Sequence, residues 1–177
     1  QRLIPDFEWG LEAAVDAVRW VSGFDFPEFE RPYEMYALSH PDEYAMNEGE
    51  IASTSGTSIP VAQFEQTFDE RHVAHSTAMQ SARIADNASY YVGPLARVNL
   101  NFNRLSLRAQ RIAEDNGFEI SSRNPQQAII ARGLEVVHAY EEALEILKDY
   151  RSFAPPRIAY EHTAGEGSSA TEAPRGL

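Results

Sequence analysis

The longest regular pattern in the chain is helical, and it sets the scale of the fold. Ile130, Leu134, Val137, Tyr140, Leu144 and Leu147 step by three and four residues up to Asp149, the spacing that lines one face of an α-helix. Upstream, Asn124 can cap the first turn, Pro125 stands where its missing N–H costs nothing, and Gln127 takes the third helical position of a capping box. Such a helix, about 25 residues, rises about 38 Å at about 1.5 Å per residue. It exceeds the globular average and suits a bundle.

Residues 8–22 predict another helix, with Leu11, Ala14, Val15, Val18 and Val21 on one stripe and Gly23 placed for a left-handed C-terminal cap. A further helix is expected over residues 105–116, with Leu105, Ala109, Ile112 and Ala113 inward and Gly117 ending it. Residues 24–40 are rich in Pro, aromatics and acids, which suits irregular chain with one short strand near 36–38. Gly49, Gly56 and the Ser/Thr residues around Ile51 and Ile59 predict a hairpin-like pair of short strands. Pro60 is placed to start a short helix running through Phe64 and Phe68.

After Tyr150 the texture changes to Pro155-Pro156, a short strand at 158–160, and then Gly165, Gly167, Ser168 and Ser169. Residues 151–177 are therefore expected to be loop-rich. The class expected is α+β, predominantly α-helical, as one unit over 1–177 without internal repeats. The chain begins Gln1-Arg2-Leu3 and stops inside what reads as a motif, Pro174-Arg175-Gly176-Leu177, so a fragment of a larger subunit is expected.

Composition narrows the chemistry. A hydrophobic fraction of 43% with 11% aromatics supplies a core and excludes wholesale disorder. Fifteen Lys+Arg against 27 Asp+Glu leave a net charge of −12, which disfavours a phosphate backbone or an anionic membrane as partner. No apolar run approaches the roughly 20 residues of a membrane span. The absence of cysteine removes disulfides, thiolate metal ligands, iron-sulfur ligation and a cysteine nucleophile from this stretch.

Several clusters are candidate sites. His72 and His75 have a spacing that can place two imidazoles on one metal, but no third ligand is identifiable, and ordinary polar or capping histidines are the stronger reading. His138, beside the apolar stripe of the long helix, reads as a packed or surface histidine rather than a proton carrier. Arg97, Arg104, Arg108 and Arg111 concentrate four cations that would suit a partner surface or an anion; on a helix, 104, 108 and 111 form a solvated or salt-bridged face, which is the stronger reading. The acidic stretches at 28–34 and 42–50 lack metal-loop spacing. Gly165-Glu166-Gly167 is no phosphate loop, since no Lys-Ser/Thr follows it.

Three stretches carry a family resemblance. Glu172-Ala173-Pro174-Arg175-Gly176, preceded by Ala164-Gly165-Glu166-Gly167 and Thr171, resembles the E-A-P-R-G segment of nickel-iron (NiFe) hydrogenase large subunits. Tyr91-Val92-Gly93-Pro94-Leu95-Ala96-Arg97-Val98-Asn99 is similar to the Y-x-V-G-P-L-A-R-x-N stretch of the family's cytosolic, cofactor-coupled branch. His72-Val73-Ala74-His75-Ser76-Thr77-Ala78 resembles the H-V-x-H-S-x-A stretch that precedes it there. The order matches, and the long helix lies between the second and third stretches, as in the family. E-A-P-R-G-like segments also occur in the quinone-module subunit of respiratory complex I, so the alternative is a metal-free scaffold subunit of a complex I-like assembly.

The resemblance implies reversible heterolytic oxidation of dihydrogen at a nickel-iron centre with cyanide and carbon monoxide ligands. It also implies an iron-sulfur small subunit, a cofactor-reducing module and a cytoplasmic location. The family's metal ligands are four cysteines, in R-x-C-G-x-C and D-P-C-x-x-C motifs; neither is present here, so no metal ligand is expected within the fragment and the fragment alone is expected to be inactive. By the same resemblance, Arg175 overhangs the metal pair with Pro174 beside it. A guanidinium there offers up to five rigid donors and a fixed positive charge. Neutralising it at pH 7 from a reference pKa of about 12.5–13.8 costs about 7–9 kcal/mol, which favours electrostatic positioning over a general-base role. Glu172 is a candidate for orienting Arg175 or relaying a proton, with an ordinary surface salt bridge the stronger reading.

Overall fold

The computed structural model describes residues 2–152 and 154–176. Two helices carry the main core. Helix α1 (Ile4–Ser22) buries Leu11, Ala14, Val15, Val18 and Val21, the stripe its sequence predicts, and starts four residues earlier than expected, with Pro5 in its first turn. Gly23 follows it with φ −83°, so the left-handed cap expected there does not form. The chain leaves through right-handed turn bonds from Gly23 and Phe24 to the carbonyls of Trp20 and Val21 instead.

The chain next forms a small antiparallel sheet of β1 (Tyr36–Ser39), β2 (Glu50–Ser53) and β3 (Ser58–Ile59), in that order, with Leu38 opposite Ile51 and Ile51 opposite Ile59. Strand β1 is buried on both faces. Met35, just before the strand, and Ala37 within it face the helical core, whereas Tyr36 and Leu38 face a second cluster with Ile51, Ile59 and Phe68, the alternation a strand imposes.

A 3₁₀ turn (Val61–Gln63) and the one-turn helix α2 (Phe64–Thr67) follow Pro60. The helix expected through Phe68 stops short: Phe68 is extended (φ −120°, ψ 138°) and its ring packs at 5.1 Å from Tyr36 and 4.6 Å from Tyr90. It opens an unanticipated two-stranded arm, β4 (Phe68–Val73) and β5 (Ser76–Arg83), whose residues are mostly exposed on both faces. Sequence pattern fails there because a strand with no buried face carries no apolar alternation.

Helix α3 (Pro94–Asn101) follows, then α4 (Leu107–Asp115) and α5 (Ala128–Asp149). Ser106 caps α4, and Gly117 ends it with φ +69°. Asn124 caps the approach to α5 by accepting from the Gln126 amide at 3.0 Å, through a 3₁₀ turn (Pro125–Gln127). The reciprocal half of the expected capping box is absent: the Asn124 amide donates to Ser122 Oγ instead. Ile130, Leu134, Val137 and Leu144 of α5 are buried as expected. Beyond Tyr150 the described residues run exposed and irregular until Ala170, and the strand expected at 158–160 does not form; Ile158 is 83% and Tyr160 75% exposed, with no partner strand. Of the expected loop-rich segment 151–177, Phe153 and Leu177 lie outside the described residues, as does Gln1 at the other end.

Candidate functional site

Strand β1 lies at the edge of its sheet, so its outward N–H and C=O groups need partners. Three elements supply them. Residues around Tyr91 run parallel to the strand, with the Tyr36 amide donating to Tyr91 O and the Tyr91 amide to Glu34 O, both at 2.9 Å. Asn101 Nδ2 donates to Leu38 O at 2.8 Å, and the Leu38 amide donates to the Glu172 carboxylate at 2.7 Å. The edge of one strand thus draws together the start of α3 and the Glu-Ala-Pro-Arg-Gly stretch, more than seventy residues apart in sequence.

That stretch folds as a tight turn. Ala173 and Gly176 exchange backbone hydrogen bonds, at 3.2 and 3.0 Å, with Pro174 and Arg175 at the tip. The turn rests on the entry to α3. Gly93 has φ +101° and ψ −163°, a region essentially confined to glycine, and a Cβ there would meet the Arg175 carbonyl oxygen at 2.5 Å. Gly176, at φ +130°, packs equally closely on Val92. The two stretches of the resemblance are one packed unit.

Arg97 holds this unit together. It is 2% exposed, on the buried side of α3. Its Nε and Nη2 donate to the two oxygens of Glu135 at 2.5 and 2.8 Å. Nη1 donates to Glu172 at 3.1 Å and to the Ala173 carbonyl at 2.8 Å, and Nη2 also reaches the Pro174 carbonyl at 3.5 Å. The Tyr44 hydroxyl donates to Glu135 at 2.7 Å. A planar fork suits this two-sided demand, for which an ammonium is too compact. Asn99 ties the same helix to the loop before α5, donating to Ser122 O at 2.9 Å and accepting from the Ser121 amide at 3.1 Å.

Two carboxylates thus converge on one guanidinium inside the fold. Burial opposes the charge on Arg97, but Glu135 and then Glu172 more than offset it and hold its pKa above the ordinary value. Burial raises the pKa of Glu172, with the Leu38 amide and Arg97 only partly offsetting it. Burial and then the charge of Glu135 push the Tyr44 phenol well up, so it stays protonated and donates. His138 packs edge-on against Tyr44 at 5.0 Å and accepts from the Ser106 amide at 3.1 Å; burial lowers its pKa against the pull of Glu142, Glu141, Glu135 and Glu145.

The residues singled out from sequence separate sharply. Arg175 and Pro174 are exposed at the tip of the turn. Glu172 is no surface ion-pair partner: its side chain is fully buried, because the β1 edge and Arg97 both claim it. Arg97 stands apart from the other three arginines of the cationic group: Arg104 and Arg111 are exposed and Arg108 pairs with Glu12 at 2.8 Å. His72 and His75 sit exposed on the arm, and no group of three metal-ligating side chains occurs among the described residues. Glu135 and Tyr44 were missed. The available signal was a charge set among apolar neighbours: Arg97 between Ala96 and Val98, and Glu135 beside Leu134.

No family model matches the chain. It is 30% identical over 155 residues to the sulfhydrogenase 1 alpha subunit of Pyrococcus furiosus, covering 86% of this chain and 36% of that protein. It also shares the fold of an NAD+-reducing NiFe-hydrogenase in its H2-reduced state, with TM-score 0.61 and 20% identity, over 84% of this chain and 37% of that one. Over most of its length the chain is thus similar to part of a hydrogenase alpha subunit. It spans little more than a third of the length of these hydrogenase proteins. Among the described residues, no helix is long and apolar enough to cross a membrane.

Proposed function

We propose that this chain is the portion of a hydrogenase large subunit that presents Arg175 to a nickel-iron centre, in an enzyme that oxidises dihydrogen reversibly. The observation that carries this reading is the docked turn: the two resembling stretches interlock, and the interlocking leaves Arg175 exposed at the tip. The chain has no cysteine, and no group of three metal-ligating side chains occurs among the described residues, so the part assigned to it is a cation beside the metals. The metal ligands would be thiolates from other parts of the subunit.

The metal pair, bound with its cyanide and carbon monoxide ligands, would supply heterolytic cleavage of dihydrogen. Arg175 would contribute hydrogen-bond donors of fixed direction and a positive charge beside the metals. Pro174 restricts the backbone just ahead of it. Electrons would leave through an iron-sulfur small subunit and a cofactor-reducing module.

The test uses the full-length protein. It should contain nickel and reduce a dye with dihydrogen, and Arg175→Lys should keep the nickel while losing about 10²–10³-fold in rate, the range for removing one preorganised donor. Full rate in Arg175→Lys would remove the role assigned to Arg175. Absence of both nickel and dihydrogen-dependent reduction in the parent would replace the hydrogenase with the metal-free scaffold of a complex I-like assembly.

A further inference from the structure

We infer that Arg97 is the positioning residue for Arg175, oriented in turn by Glu135 and Tyr44. The geometry runs in tiers. Tyr44 donates to Glu135; Glu135 takes two donors of Arg97 in a fork; Arg97 spends its remaining donors on three consecutive residues, Glu172, Ala173 and Pro174. The next residue is Arg175. The carbonyls of Ala173 and Pro174 fix the peptide planes that lead into it, so a shift of the Arg97 guanidinium is passed to the backbone that carries the Arg175 side chain.

The remaining contacts of the turn do not do this. Gly93 and Gly176 permit close approach but supply no directional bond to Pro174, and the Glu172 amide, donating to Met46 O at 2.7 Å, anchors only the turn's start. Beyond it lies the exposed, irregular chain before Ala170, which offers no rigid support. Arg97 is thus the group that converts the stable α3–α5 body into a defined position for an exposed cation. The placement of the turn stands on these contacts alone; its catalytic consequence rests on the function proposed for Arg175.

Hydrogen–deuterium exchange on the full-length protein tests this, with the amides of Ala173 and Gly176 as reporters and those of α1 and α5 as controls. Arg97→Met alone strands two buried carboxylates, so it is combined with Glu135→Gln and Glu172→Gln to give an uncharged cluster that can fold. In that variant the turn amides should exchange about tenfold faster while α1 and α5 keep their protection. Tyr44→Phe, acting two tiers away, should give the same turn-specific change at a few-fold. In both variants the kcat of dihydrogen-dependent reduction should fall without loss of nickel.

Unchanged turn exchange in the folded uncharged variant would overturn the inference. So would loss of protection that spreads equally over turn, α1 and α5, which marks a merely structural cluster. If the exchange behaves as stated but Arg175→Lys keeps full rate, the proposed function fails and the positioning stands.

Discussion

Arg97 binds the Glu172–Gly176 stretch and Arg175 belongs to it, and the two are built in opposite ways. Arg97 is 2% exposed and shares its donors among two carboxylates and two carbonyls. Arg175 is exposed and takes part in none of the ion pairs among the described residues. A buried charge must be compensated within the fold and becomes part of its geometry. An exposed charge is screened by water, adds little to stability, and is available to whatever approaches. The same residue type is therefore locked into the fold at Arg97 and exposed to solvent at Arg175.

The largest effect expected from breaking this contrast is that of Arg97→Met. It leaves Glu135 and Glu172 buried without their cation, and should cost about 3–5 kcal/mol in denaturant unfolding. The loss should depend on pH. The folded-state pKa of Glu172 already lies above its ordinary value through burial, so its contribution is fully present below the unfolded pKa and is lost as pH rises through the raised one. Removing Arg97 raises that pKa further and widens the window. The variant should therefore recover stability relative to the parent on acidification from neutrality towards the carboxylate range. A deficit independent of pH would mean that the cluster is not charged as described.

Gly93→Ala ranks next. It forces a side chain into a glycine-only region and against the Arg175 carbonyl, at about 1–3 kcal/mol, and should undock the turn even with Arg97 intact. Thermal unfolding together with exchange at Gly176 would measure both. Tyr44→Phe removes one donor from Glu135 while the guanidinium fork remains, so about 1 kcal/mol is expected in a double-mutant cycle with Glu135→Gln. Arg175→Met should change stability by no more than about 0.5 kcal/mol, although it should abolish the proposed catalytic contribution. A large stability loss there would erase the distinction between the two arginines.

Much of this molecule was legible before its structure. The buried faces of α1 and α5 repeat their apolar periods over enough turns to be unambiguous, and the paired short strands at Ile51 and Ile59 are flagged by Gly49, Gly56 and the Ser/Thr residues around them. The resemblance pointed to three stretches and their order, and the structure packs the second and third of them together. The β4–β5 arm was not legible, since strands exposed on both faces leave no period to read. Nor was the destination of Gly23, whose left-handed option is a capacity and not a requirement. The burial of Glu172 and of Arg97 was not legible either: Glu172 reads as a surface ion pair and Arg97 as one of four cations, because a charge in sequence carries no label of its partner. The partners are 38 and 75 positions away from Arg97.

Sequence by itself determined the local terms: which residues repeat at helical spacing, where glycine permits a turn, that no thiolate is available, and which short stretches match a family. Tertiary structure alone decided which of two nearby arginines would be enclosed and which exposed. Enclosure depends on long-range meetings, a strand edge needing an acceptor and a guanidinium needing two carboxylates, and those meetings exist only once α3, α5 and the turn occupy the same few ångströms.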